Sequence, residues 1–374
     1  MLPTIRTSGP RPKRLTLFGL AALAFLSACS QRSNTPVNNG GYRPGAPPGY
    51  GQQGGYPQQP GYPQQPGYPQ QPGYPQQPGQ QAGPPIPAVP PPGSLPPQPF
   101  DPLNNIDSAY MRQRSQAVMG ELIGALAPAQ ASLIQPIPLA FDDTPGDVNA
   151  FAACTGGRAL IAVTDGLLEI EAQMARAKST DEIFGTRKLD AYFHFIAQNQ
   201  RQNQPIARPG AGFWDPTQDI DGRKVARQHD IFDEEMAFVI GHEMSHHYLG
   251  HTGCVGASNL PITPQDLGRL LSNAVPMFNQ PNEAAADSNG TTNLLNAGAR
   301  RQGYHWTEGG ALLTLQFFDA VRDLSPMESM IFAFQLSHPD PNIRIPIVQQ
   351  TAANWRATGG HPIVFPFPIP GFTP

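Results

Sequence analysis

The chain has 374 residues, of which 45 are Pro and 38 Gly; this is well above the roughly 12% these residues make up in ordinary domains and excludes one compact domain over the whole length. Between Gln31 and Phe100 lie 21 Pro, 13 Gly and 14 Gln with no acid, a stretch that cannot bury a core. All 28 acids but only 18 of the 24 basic residues fall from Asp101 onward, so the global net charge of −4 becomes −10 for the foldable part; no nucleic-acid partner is expected of such a surface.

Arg6, Arg11, Lys13 and Arg14 precede an apolar run from Leu15 to Leu26, followed by Ser27-Ala28-Cys29-Ser30. A charged segment, a short apolar one and small residues read as a secretory signal over residues 1–28. About a dozen apolar residues fall short of the roughly 20 that a membrane-spanning helix needs. Leu26-Ser27-Ala28-Cys29 resembles a bacterial lipobox. That resemblance implies cleavage before Cys29, a diacylglyceryl thioether on its sulfur, and, with Ser30 next, anchoring on the periplasmic side of the outer membrane.

From Cys29 to residue 103 the chain reads as an extended tether. Gly55-Tyr-Pro-Gln-Gln-Pro60 recurs at Gly61, Gly67 and Gly73, and a Pro-rich run follows. Such a stretch would span roughly 45 to 50 Å as a coil and up to about 200 Å as polyproline. Its regularly spaced Tyr are an alternative contact for another envelope protein or the cell wall.

Folding is expected over residues 104–360, with a Pro-rich tail at 361–374. Ile106, Tyr110, Met111, Val118, Leu122 and Ile123 recur at helical spacing, with Asn105 or Asp107 as cap. Ile134 to Phe141 and Arg158 to Val163 read as strands and Val148 to Ala152 as a short third; Thr164 then caps a helix to about Lys178. Thereafter the pattern is mostly helical, broken by a loop from Asn203 to Gly222. A few strands followed by many helices predict an α+β domain.

Four of the nine His fall within His242-Glu-Met-Ser-His-His-Tyr-Leu-Gly-His251. His242-Glu243-Met244-Ser245-His246 has the form HExxH. Helix positions four apart lie about 40° from each other, so both imidazoles face one ion while Glu243 reaches a water on it as general base. Met236, Ile240, Met244 and Tyr248 step by four along one face, which predicts a helix from Ile231 to Leu249. His247, on the other side, is expected to be solvated or hydrogen-bonded.

A catalytic zinc takes three protein ligands. The metzincin spacing fails here, because Leu249 and Thr252 occupy the places of its Gly and third His, so His251 is set aside as a ligand. The candidate is Asn282-Glu283-Ala284-Ala285-Ala286-Asp287. Three Ala between the acids let this helix lie close to the first, so that Glu283 reaches the metal and Asp287, one turn on, holds a ligand His through its other ring nitrogen. Cys154 and Cys254 are either a disulfide in an oxidising compartment or two separate thiols.

HExxH, a His five residues beyond it, and ExxAD together resemble the zinc metallopeptidase family of HtpX, BepA and the CAAX prenyl endopeptidases. Asp147-Val-Asn-Ala-Phe-Ala152 with the segment from Gly156 to Leu168 is similar to the family's NAFA strand, Gly turn and helix start. Ser337-His338-Pro339 with Arg344-Ile345 is similar to its HP…RI element. Ala153-Cys154-Thr155 departs from the usual Leu-Pro, and residues 183–222 align with nothing.

The resemblance implies a compact, mostly helical gluzincin with a small sheet, one Zn²⁺ per chain on His242, His246 and Glu283, and Glu243 as base. It also implies binding of unfolded or extended polypeptide along Asn149, Ala150, Phe151 and Ala152, and His338 or Arg344 steadying the oxyanion. Tyr304 is expected to pack. The resulting expectation is a lipid-anchored metalloendopeptidase in envelope protein quality control; the competing one is an envelope scaffold or assembly factor on a latent zinc fold.

Overall fold

The computed structural model describes residues 90–155, 157–201, 204–254, 280–324, 338 and 340–360. Expectations for the signal segment, Cys29, the hexad tether and the tail therefore lie outside the described residues, as do Ser337 and Pro339.

Nine helices and three strands are present among the described residues. In chain order they are α1 (Ser108–Ala125), α2 (Pro128–Ile134), β1 (Leu139–Asp142), β2 (Ala150–Thr155) and β3 (Arg158–Thr164). There follow α3 (Asp165–Phe184), α4 (Lys188–Asn199), α5 (Pro216–Asp219), α6 (Gly222–Tyr248), α7 (Gln280–Gly298), α8 (Gly309–Leu324) and α9 (Pro341–Thr358). The domain is mostly helical with one small sheet, as the α+β reading expects. No helix of the described residues is long and apolar enough to cross a membrane.

Local chemistry explains most element boundaries. Asp107 caps α1 by accepting from the Tyr110 amide, the usual Asp role at a helix start. Ile134, expected in a strand, ends a short helix instead. Pro136 and Pro138 have no N–H to give to a sheet ladder, so pairing begins only at Leu139. Residues 183–222, which align with nothing, contain α4 and α5.

The sheet order is β1-β3-β2, with β1 parallel and β2 antiparallel to β3. Val148 and Asn149 stand just before β2, and the strand runs three residues past the expected end at Ala152. Thr164 joins the layers. Its Oγ1 accepts from the Asn149 amide at 2.9 Å and from the Leu167 amide at 3.2 Å, so one side chain both ties down the entry to β2 and caps α3.

α6 is the axis around which the rest packs. Phe232, Met236, Ala237, Phe238, Ile240 and Met244 have at most 1% exposure, and the helix is buried on all sides from Ile231 to His247. A helix so enclosed must satisfy every polar side chain inside the protein. At its N-terminal end the buried Lys224 Nζ donates to Asn104 Oδ1 and Asp219 Oδ1, both at 2.9 Å. The Gln98 amide donates to Ile220 O at 2.8 Å, so contacts with this end reach upstream of Asn104.

Glu171 on α3 and Glu235 on α6 are fully buried and close enough to influence each other's titration, while Thr314 Oγ1 donates to Glu171 at 3.1 Å. Burial raises both carboxyls well above the ordinary range. The native state thus keeps protons that the unfolded chain releases above about pH 4.5, and stability falls as pH rises beyond that point. Glu235→Gln keeps the size of the side chain and removes one titrating group. Thermal melts between pH 5 and 8 should show a smaller loss for this variant than for the wild type; equal losses would exclude the pair as a source.

Candidate metal centre

The polar residues of the HExxH segment converge where α6 meets the first turn of α7. One helical turn apart on α6, His242 and His246 bring their Nε2 atoms to 3.1 Å from each other. Glu283 faces them from α7, with Oε2 3.4 Å from His242 Nε2 and Oε1 3.3 Å from His246 Nε2. One ligand atom from each of the three lies within 4.8 Å of the others, and all three side chains are buried. Two imidazoles and a carboxylate in such an array are a donor set for a divalent metal.

A second observation fits a cation and a water. Among the described residues, Glu283 Oε1 and the neighbouring Glu243 Oε2 are buried with no hydrogen-bond partner. Buried carboxylate oxygens are normally satisfied, and an ion between the three ligands would satisfy the first while a water beside it would satisfy the second.

The approach of the two helices is set by glycine rather than by the alanines that stood out in the sequence. A Cβ on Gly290 would lie 2.8 Å from His242 N, and one on Gly241 would lie 3.3 Å from Gly290 O. Of the three alanines only Ala286 is buried; Ala284 and Ala285 remain partly exposed. Backbone therefore meets backbone one and two turns along α7 from the residues that face α6.

Behind the ligand atoms lies a layer of fully buried partners. Asp287, one turn after Glu283, sits 2.9 Å from His242 Nδ1. Arg344, in the first turn of α9, forks onto the same carboxylate, Nε donating to Oδ2 at 2.9 Å and Nη2 to Oδ1 at 2.7 Å. Asp287 and Arg344 are 0% and 1% exposed. His338 Nδ1 lies 2.8 Å from Glu283 Oε2, and its Nε2 lies 3.7 Å from Glu243 Oε1 and 3.5 Å from the carbonyl of Ala150 in β2. His338 thus touches one face of the donor set and the strand entry at once.

These surroundings divide the titrations. Burial and Arg344 disfavour a charged His242, yet hydrogen bonds to Asp287 and Glu283 prevail and raise it to about 9. His246 is driven down to about 3, chiefly by burial. Glu283 is held far below the carboxylate range, because the imidazoles of His242, His246 and His338 gathered around it outweigh burial. Burial raises Glu243. A centre whose carboxylates draw positive charge onto a buried imidazole is one where a cation can replace that charge.

The structure brings together His242, Glu243, His246, Glu283, Asp287, His338 and Arg344, with Asn149, Ala150, Phe151 and Ala152 adjoining through His338. His247 is hydrogen-bonded rather than solvated: its Nε2 donates to Leu160 O at 2.9 Å and its Nδ1 accepts from Thr252 Oγ1 at 3.1 Å. Cys154 and Cys254 are joined, with Cα atoms 5.6 Å apart, and this links β2 to the loop after α6. Tyr304 does more than pack, since its hydroxyl donates to the buried Glu234 at 3.0 Å. His251, set aside as a ligand, has Nδ1 2.9 Å from His246 Nδ1. The sequence signal for that contact is Gly250, which stops α6 and turns the chain back.

A model described as peptidase family M48 matches residues 113–352, a span that holds every residue of this centre. The chain belongs to peptidase family M48. It is the family of HtpX, BepA and the CAAX-type enzymes, so the resemblance drawn from HExxH, ExxAD and the flanking motifs is met. M48 members are metal-dependent peptidases acting on polypeptides. The buried His and Glu cluster is where this M48 chain can bind its metal. No curated protein and no solved structure matches the chain.

For an M48 centre assembled by backbone contact, Gly290→Ala is the sensitive substitution. Its new methyl meets His242 backbone that cannot swing away, a strain of about 1–3 kcal/mol. Metal bound per chain should fall clearly, whereas Gly120→Ala, with nothing within 4 Å of the added carbon, should leave it unchanged. Elemental analysis of both purified variants checks this.

Proposed function

We propose that this M48 peptidase is a zinc-dependent metalloendopeptidase, lipid-anchored through Cys29 at the periplasmic side of a bacterial outer membrane, that cleaves unfolded or misassembled envelope proteins. The observation that carries the catalytic part is the convergence of His242 Nε2, His246 Nε2 and Glu283 beside the buried carboxylate of Glu243. Nitrogen ligands from two His and one carboxylate oxygen suit zinc, and one ion per chain would be held by these three residues. Zinc, when bound, supplies Lewis acidity toward the scissile carbonyl and makes water acidic enough to be deprotonated near neutral pH.

The side chains do the rest. Glu243 takes the proton of the attacking water and passes it to the leaving amine. Burial raises its carboxyl, so it holds a proton between the two steps more readily than a solvated Glu. His338 is the nearest candidate for steadying the oxyanion, being at once beside Glu243 and 3.5 Å from Ala150 O. Asp287 fixes the ring and tautomer of His242. Arg344, read from the sequence as another oxyanion candidate, is better assigned to hold Asp287, because its fork grips that carboxylate on the Nδ1 side of His242.

β2 is a terminal strand of the sheet among the described residues. A substrate lying along Asn149 to Ala152 would present backbone to backbone, a mode with little demand on sequence that suits unfolded segments. Glu243→Gln should retain zinc near one per chain and lose hydrolysis of casein by at least about 10²-fold, while Glu283→Ala should lose the zinc itself. Undiminished cleavage by the first variant would remove Glu243 from its role, and full zinc in the second would mean a different third ligand.

Anchoring and location rest on the sequence alone. The charged segment, the apolar run and Leu26-Ser27-Ala28-Cys29 support export and lipidation, and the hexad tether would give the catalytic domain reach from the membrane. Cys29→Ser should move the protein from the outer-membrane fraction to the soluble periplasm and abolish incorporation of labelled palmitate. A variant that remains membrane-bound would reject the lipid anchor.

A further inference from the structure

We propose that His251 is the positioning residue of His246, accepting a hydrogen bond from its Nδ1–H so that Nε2 stays directed at the metal. The inference rests on the reading of His246 as a ligand and extends it to a residue that contributes no ligand atom.

The contact is direct. His246 Nδ1 and His251 Nδ1 are 2.9 Å apart, with ring centroids at 5.1 Å and the rings inclined by 63°. An imidazole that offers the Nε2 lone pair to a cation carries its proton on Nδ1, and that proton needs an acceptor. A neutral His251 with its own proton on Nε2 supplies one. His251 then lies behind His246, opposite the side where Nε2 meets Glu283, which is why it cannot be a ligand itself.

The helix stop delivers this geometry. α6 ends in a paired backbone motif in which the Gly250 amide donates to His247 O at 2.9 Å and the His251 amide donates to His246 O at 2.9 Å. This is the Schellman arrangement, and it requires a left-handed residue, supplied by Gly250 at φ +79°. It returns the chain so that the side chain five positions after His246 folds back over that residue. The loop is then held twice more, by Thr252 on His247 and by the bond from Cys254 to Cys154 in β2.

The two ligand imidazoles are therefore oriented by different chemistry. His242 has a carboxylate, Asp287, whose charge Arg344 balances. His246 has a neutral ring. Since Glu243, Glu283 and Asp287 already place three carboxylates in this buried space, a neutral acceptor orients His246 without adding a fourth negative charge.

The test measures zinc affinity of the full chain by competition with a chelator, alongside the melting temperature of the zinc-free protein. His251→Ala should weaken zinc binding about 10- to 100-fold, the usual cost of losing such a partner. His251→Asn, whose amide oxygen stands near the place of Nδ1, should restore affinity close to wild type, with zinc-free melting unchanged in both variants. Wild-type affinity in His251→Ala, equal weakening in His251→Asn, or weakening matched by a lowered zinc-free melting temperature would each overturn the assignment. His246→Ala is measured in parallel. Unchanged affinity there would overturn the metal-site reading together with this inference, whereas loss there with an unaffected His251→Ala overturns this inference alone.

Discussion

The contact on which the rest depends is the meeting of two helix backbones at Gly241 and Gly290. Hydrogen in place of a side chain at Gly290, and the tight fit at Gly241, allow α7 to lie where a side chain as short as Glu283 reaches between His242 and His246. The next turn of α7 then presents Asp287 to the far nitrogen of His242 with no further adjustment. Ligand and orienting residue are thus placed by one helix, four residues apart, because an α-helix repeats its direction nearly every fourth residue.

Close packing brings its own requirement. α6 is enclosed on all sides, so its charged and polar side chains lose bulk water and depend on partners brought to them by other elements. Asp287 is matched by Arg344, which ties α9 to the centre. Glu283 is matched by His338 as well as by the two α6 histidines. Away from the centre, Lys224 is held by Asn104 and Asp219, and Glu171 by Thr314. These groups fix the register of the helices around α6 more sharply than apolar packing alone would, since a shift of one residue would strand a charge.

The sheet is small but sits at a decisive place. β3 receives His247 through Leu160 O, β2 reaches His338 through Ala150 O, and the Cys154 to Cys254 bond ties β2 to the loop that carries His251. The strand that would accept a peptide and the helix that would hold the metal are therefore joined at both ends of the HExxH motif. A displacement of β2 would be felt at His338 and at the loop following α6.

Much of this was legible in one dimension. HExxH fixes His242, Glu243 and His246 because helical repetition is local, and the acid pair of Glu283 and Asp287 is readable for the same reason. The apolar rows predicted α1 and α6, and simple hydrogen-bond chemistry marked Asp107 as the cap of α1 and Thr164 as that of α3. What the sequence could not decide were relations between segments far apart in the chain. The role of glycine at 290 depends on a backbone 49 residues earlier; the choice between a disulfide and two thiols at Cys154 and Cys254 depends on a separation of 100 residues. Arg344 meets Asp287, and His338 meets Glu283, only because α9 folds back onto α7. His247, read as solvated or hydrogen-bonded on the side away from His242, is buried because β3 and the loop after α6 meet it there. Chemistry confined to one helix turn is written in the spacing of residues; which distant groups share a buried space is decided by packing, and packing exists only in the folded chain.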